Sequence, residues 1–171
     1  QQSVDFIPYI DSIDLSEWAL WSAADCYASG GTLTFDGDYC IHTFYTNDTF
    51  VASQTINNMS VLVIAGAGGG GRTGGGGGAG GLIYSTNYNV TSGSYPVIVG
   101  WGGNGSNTDV AYGWIGTNSS FNNLYALGGA GGGSYTGNGG NGGSGGGGGG
   151  ENTGSHTGGT GLTGQGYKGG D

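Results

Sequence analysis

An all-β fold is what this sequence predicts: a small antiparallel sheet or sandwich continuous with packed polyglycine II helices, preceded by an extended N-terminal arm. Three observations lead there. The chain holds 46 glycines in 171 residues, yet only Gly30, Gly31 and Gly37 precede residue 64. Short apolar runs, rich in β-branched and aromatic residues, interrupt the glycine-rich part. Residues 1–29 contain no glycine at all. The chain therefore divides into an arm, 1–29, and a β plus glycine-rich domain, 30–171.

The arm comes first. Val4-Asp5-Phe6-Ile7-Pro8-Tyr9-Ile10 is extended in character, because Pro8 blocks helix and its neighbours favour β. Asp14-Leu15-Ser16-Glu17 resembles a helix start, with Asp14 as cap and Glu17 three places on. A short helix over Ser16 to Asp25 would bury Trp18, Leu20 and Trp21. Composition changes abruptly at Ser29. That change motivates an assembly reading in which Val4, Phe6, Ile7 and Ile10 of one copy complete the sheet of the next. Packing of the arm on its own domain is the plainer alternative.

Cys26 and Cys40, the only cysteines, flank the segment Thr32 to Tyr39, whose Asp36-Gly37 pair signals a turn between strands. A disulfide across it is expected, and with it an oxidising compartment; two buried free thiols are the alternative. Leu33 to Phe35, Ile41 to Tyr45, Phe50 to Thr55 and Ser60 to Ile64 read as strands of one small antiparallel sheet or sandwich. Asn47-Asp48 and Asn57-Asn58 are the expected turns. His42 alternates with its neighbours in a strand and reads as a structural side chain. Beyond residue 82, strands and glycine runs alternate, with glycine concentrated at 102–105, 128–133 and 137–150.

The pivot is Val61-Leu62-Val63-Ile64-Ala65-Gly66, a buried strand that empties into backbone without side chains. Gly66 to Thr73 fits a phosphate-binding loop with Arg72 in the lysine position, and Gly66 to Gly71 spells G-x-G-x-x-G. Both motifs need a helix directly afterwards, whose N-terminal amides hold the phosphate. Thr73 leads instead into further glycine, which is about 1 kcal/mol per residue worse than alanine in a helix. Nucleotide binding is set aside on that ground. A flexible linker is the usual meaning of such a composition, but Leu82-Ile83-Tyr84 and Tyr95-Pro96-Val97-Ile98-Val99 have no use in one. Ordered polyglycine is the third reading: threefold extended helices that hydrogen-bond to one another, since they have no internal bonds. Its cost is entropic, roughly 1–2 kcal/mol per residue fixed. On physics alone, order and linker balance.

Resemblance tips the balance. Gly31-Thr32-Leu33-Thr34-Phe35-Asp36-Gly37-Asp38-Tyr39-Cys40-Ile41-His42-Thr43-Phe44, then Val61 to Gly66, Gly80 to Tyr84, Tyr95 to Gly100, Asn118 to Phe121 and Gly164 to Gly170 occur in a recognisable order and spacing. In these stretches the chain is similar to the glycine-rich domain of bacteriophage tail-fibre and adhesin proteins and of related metagenomic and viral surface proteins. The resemblance implies an ordered β plus polyglycine fold on an extracellular or virion surface, without catalytic residues. Cys40 departs from the pattern, which usually has a small polar residue there. The chain also stops at Asp171, where the pattern often continues with more glycine.

Charge and motif content narrow the function classes. The net charge is −9, with Arg72 and Lys168 the only basic residues, which argues against nucleic acid and anionic membranes as partners. No apolar run approaches a membrane span. With Gln1 first and no signal-like stretch, the sequence reads as a processed form. His42 and His156 lack zinc spacing, so no metal and no cofactor is expected. Asp36 and Asp38 around Gly37 read as a solvated turn rather than a calcium site or an acid/base pair. Asn47, Asn58, Asn89, Asn104 and Asn118 begin Asn-x-Ser/Thr sequons near turns or strand ends, where N-linked glycans could attach.

Two functions follow. The first is a non-enzymatic structural subunit that polymerises with itself through its arm into an extracellular, glycosylated fibre. The alternative is an adhesin whose loops, rich in Trp101, Tyr112, Trp114, Tyr135 and His156, grip a host glycan or an outer-membrane protein.

Overall fold

The computed structural model describes residues 26–109, 111–150 and 154–171. The arm residues Val4, Phe6, Ile7 and Ile10 and the helix expected after Asp14 lie outside the described residues.

Among the described residues nine strands appear in chain order: β1 (Ala28–Ser29), β2 (Thr32–Asp36), β3 (Tyr39–Thr43), β4 (Asp48–Ala52), β5 (Ile56–Ile64), β6 (Leu82–Val90), β7 (Gly93–Ile98), β8 (Ser119–Phe121) and β9 (Leu124–Ala126). Among the described residues there is no helix: the fold is all-β, and every strand pair is antiparallel. One sheet has the order β1-β4-β7-β8-β9, while β2-β3 and β5-β6 are separate two-stranded ladders. Ala28 and Ser29 pair with Ala52 and Val51.

The β2–β3 hairpin closes at the Asp36↔Tyr39 pair, leaving Gly37 and Asp38 as a two-residue turn. Gly37 has φ +54° there, a backbone conformation that glycine adopts without steric cost. The Asn57-Asn58 turn does not form. β5 runs straight through it, and Asn58 takes φ +58° where the pairing with β6 shifts register. An asparagine pair tolerates left-handed backbone in a bulge as readily as in a turn, and sequence alone does not separate the two.

The core lies between the large sheet and the two small ladders. It consists of Phe50, Ala52, Val63, Ala65, Val90, Val97, Phe121 and Ala126. Phe50 and Phe121 meet edge to face at 5.6 Å, and the His42 ring stands edge-on to Phe50 at 5.4 Å. β3 thus sits over β4, while β5 and β6 lie against β8 and β9.

The glycine-rich half is an array of extended passes, the first five of them continuous with strands of the β half. β5 runs into a first pass (65–72), and a second (75–81) runs into β6. β7 leads to a third (100–106), and a fourth (111–117) leads back to β8. β9 continues as a fifth (127–135), followed by passes over 137–142, 143–149, 156–161 and 165–171.

Hydrogen bonds along each pass repeat every third residue. In the first pass the amides of Ala65, Gly68 and Gly71 donate to Gly81, Gly78 and Gly75 of the second; those of Gly66 and Gly69 donate to Thr117 and Trp114 of the fourth. Its carbonyls follow the same rule. Ala67 and Gly70 accept from Gly103 and Ser106 of the third pass, and Gly66, Gly69 and Arg72 accept from Gly129, Gly132 and Tyr135 of the fifth. Neighbours are thus addressed in rotation, as threefold helices with no internal bonds require. Most of these bonds are 2.7–3.0 Å long. The packed polyglycine expected from the sequence is this network.

Side chains are excluded by proximity. A Cβ on Gly68 would lie 1.9 Å from the Ala130 carbonyl oxygen. At Gly76, by contrast, nothing lies within 4 Å of that position.

Candidate functional site

Two surfaces stand out. The first is an open groove of about 830 Å³ between the two small ladders, floored by the large sheet. Its walls are unusual in being continuous. Tyr39 to Phe44 and Ile56 to Ile64 all line it, without a gap. Side chains of a strand alternate between faces, so a strand that offers every residue to a cavity presents its edge rather than a face. Among the described residues β3 pairs only with β2, and β5 only with β6. The groove is therefore bounded by two strand edges that no described strand pairs, above a floor of Phe50 on β4, Val97 and Ile98 on β7, and Ser119 to Phe121 on β8. The sequence carried no sign of a pocket here. It arises from strand pairing, which no local pattern encodes.

Two groups mark this groove chemically. His42 donates from Nδ1 to the Gly30 carbonyl at 2.8 Å, while its Nε2 is buried without a hydrogen-bond partner. Cys26, which also lines the groove, is joined to Cys40 of β3 in a disulfide. The expected pairing of the two cysteines is thus present, and neither is free.

The second surface is aromatic. Trp101 on the third pass and Trp114 on the fourth are 71% and 70% exposed. Their backbones are fixed by antiparallel bonds between the passes: Thr117 N to Trp101 O and Trp114 N to Asn104 O, each 2.8 Å. Ile115 and Tyr112 are exposed beside them on the fourth pass. Tyr112 also reaches Gly137, whose Cβ position lies 2.6 Å from the tyrosine ring. Tyr135 follows the fifth pass and donates its amide to Arg72 O. Trp101 and Trp114 thus stand on neighbouring passes, with Tyr135 at the far end of the fifth. Near that end, Arg72 donates from Nη1 to Asn107 O at 2.8 Å, and its Nε stands 3.5 Å from Asp109.

The sequon asparagines differ in their employment. The Asn47 side chain accepts the Val99 amide at 2.8 Å, and Asn89 accepts that of Asn58 at 2.9 Å. Asn118 uses both arms, accepting from Gly128 N at 2.8 Å and donating to the Tyr125 hydroxyl at 2.6 Å. Asn138 and Asn141 likewise take the amides of Thr157 and Thr160. Asparagine is thus a cap for amides that would otherwise end without a partner. That role accounts for much of the asparagine in the glycine-rich half without invoking sugar. Asn47, Asn58, Asn89 and Asn104 are exposed.

Two carboxylates are perturbed. Asp48 is held below its usual range chiefly by the Gly31 amide, at 3.0 Å, and then by that of Thr49. Asp171 is lowered first by the Lys168 ammonium and next by the Gly158 amide. Both are fully exposed and cap backbone, which is a structural task. Asp36 and Asp38 are exposed at the β2–β3 turn, and no cluster of metal-ligating side chains occurs among the described residues. No helix among them is long and apolar enough to cross a membrane.

A family model described as a glycine-rich domain matches residues 43–171. No curated protein and no solved structure matches the chain.

Proposed function

This chain belongs to the glycine-rich domain family, and we propose that it is a structural subunit, without catalytic activity, that assembles with itself into an extracellular fibre. The observation that carries this reading is the threefold hydrogen-bond network of the glycine passes. Each pass is tied to several neighbours, so the array resists bending in every direction normal to its length. It contains few side chains for a protease to read. Such a body suits a stiff spacer. The Cys26–Cys40 disulfide supports an oxidising, extracytoplasmic setting, and the exposed sequons Asn47, Asn58, Asn89 and Asn104 leave room for N-linked glycans. A glycan on Asn118 would replace one of its two Nδ2 hydrogens and crowd the bond to the Tyr125 hydroxyl. The joint between subunits is assigned to the apolar arm, through Val4, Phe6, Ile7 and Ile10. Electron microscopy of the purified protein tests the reading: repeating filaments are expected, and uniformly monomeric particles at all concentrations would overturn it.

One observation favours a second reading. Trp101 and Trp114 stand exposed on adjacent, rigid passes, and flat aromatic faces on a fixed backbone suit stacking against sugar rings. An adhesin of the tail-fibre kind, with Tyr112 and Tyr135 flanking the tryptophans, would bind cells through this side. Cell or glycan-array binding that disappears in a Trp101→Ala/Trp114→Ala variant, with no filaments formed, would favour it over the fibre.

A further inference from the structure

The groove is bounded as the place of one strand would be, by the edges of β3 and β5. In the large sheet the order β4-β7-β8 places β7 between its two neighbours. In the layer above, β3 sits over β4 and β5 lies against β8, on either side of β7. Neighbouring strands in a sheet are spaced about 4.8 Å apart, so two strands standing over the first and third of three neighbours have a place for a single strand between them. Inserting it would join the two ladders into one sheet, β2-β3-X-β5-β6, stacked on the large sheet as a complete sandwich. The inserted strand would bury its apolar face on Phe50, Val97 and Phe121, and its backbone would supply a partner within reach of the orphaned His42 Nε2.

We propose that the occupant is the Val4–Ile10 segment of a second copy of this chain; the proposal rests on the self-assembly reading above and names its docking site. Val4-Asp5-Phe6-Ile7 alternates in polarity up to Phe6, as a strand with one buried face requires. Pro8 lacks an amide, which a strand flanked on both sides does not tolerate. β3 is only five residues long against nine for β5, so Val4 to Ile7 can be flanked on both sides while Pro8 falls beyond the shorter wall. A second copy, rather than the chain's own arm, is indicated by what adjoins the slot. On the outer face of the β5–β6 ladder, Leu62 is paired with Tyr84 and Ile64 with Leu82, and all four are about half exposed or more. This contiguous apolar patch continues the groove outward. One strand in the slot leaves it bare, whereas a neighbouring subunit arriving behind its own arm covers it.

A photoreactive benzophenone amino acid placed at Phe6 of the full chain tests this. Isotope-labelled and unlabelled copies are unfolded, mixed, refolded together and irradiated, and adducts are mapped by mass spectrometry. Circular dichroism and an intact Cys26–Cys40 bridge check that the substituted chain folds. The expected result is adducts between labelled and unlabelled chains at Tyr39 to Phe44 or Ile56 to Ile64, lost when Leu62→Asp is introduced. Adducts confined to one chain, adducts elsewhere on the surface, or none at all would overturn the proposal. Inter-chain adducts in the groove from particles that close as dimers would keep the docking site and refute the fibre, so the two readings fail separately.

Discussion

Gln165 clasps the end of β9 with both ends of its side-chain amide: Oε1 accepts the Leu127 amide at 2.9 Å, and Nε2 donates to the Tyr125 carbonyl at 2.9 Å. Leu127 is where β9 gives way to the fifth glycine pass, and the two geometries do not share a hydrogen-bonding pattern. A long amide side chain from the last pass bridges the change. Gln165→Ala leaves a half-buried amide unpaired and is expected to cost about 1–3 kcal/mol. Gln165→Glu keeps the acceptor but sets a carboxylate against the Tyr125 carbonyl. Chemical denaturation of both variants checks this; midpoints equal to that of the parent would show that the bridge contributes nothing.

Alanine should discriminate between glycines that look identical in sequence. Gly68→Ala places a methyl 1.9 Å from a carbonyl oxygen and is expected to cost about 3 kcal/mol or more, since the passes cannot separate without breaking bonds on both sides. Gly76→Ala points into open space and should be neutral or stabilising by about 0.4–1 kcal/mol, through loss of unfolded-state freedom. Hydrogen exchange offers a second view: amides of the first and fifth passes exchange slowly in the parent and quickly in Gly68→Ala.

The disulfide encloses a short loop, with a sequence separation of 14. Closing a loop of that size restricts the unfolded chain by about 3 kcal/mol. A Cys26→Ala/Cys40→Ala variant should therefore melt several degrees lower, while the glycine passes, remote from the bridge, keep their exchange protection. An unchanged melting temperature would mean that the β2–β3 hairpin is held by its ladder alone.

Acid should loosen two caps. The carboxyl groups of Asp48 and Asp171 lie below their ordinary value of 3.8 in the folded protein. Their stabilising effect is thus full above the unfolded carboxylate range and is lost as pH falls through the lowered folded values. Melting temperature should fall below about pH 4. Asp48→Asn, which keeps an acceptor for the Gly31 amide but cannot titrate, should reduce that fall. A pH dependence identical to the parent would remove Asp48 from the account.

How far the sequence foretold this structure depends on where its side chains are. Val61 to Ile64, Leu33 to Phe35 and Tyr95 to Ile98 announced strands through branched and aromatic content, and the spacing of Cys26 and Cys40 around Asp36-Gly37 anticipated the bridged hairpin. Asn57-Asn58 misled, because the same tolerance of left-handed backbone serves a turn and a bulge. Most was hidden in the glycine. A residue with no side chain has no polarity to alternate, so nothing in Gly128 to Gly133 says that its neighbours are the first, second and fourth passes and those over 137–142 and 143–149. The groove was hidden for a related reason: a strand's edge is made of backbone, and backbone is the same in every residue.

The switch from ladder to threefold pass at Ala65, answered at Leu82, turns the glycine half into a ruler graduated in triplets. Lengthening both arms of that hairpin by three residues would extend it by about 9 Å and return every carbonyl to its old neighbour. One or two extra residues would rotate all later partners by a fraction of a turn and put them out of phase. Insertions and deletions compatible with this body should accordingly come in threes, leaving the sheet at its base untouched.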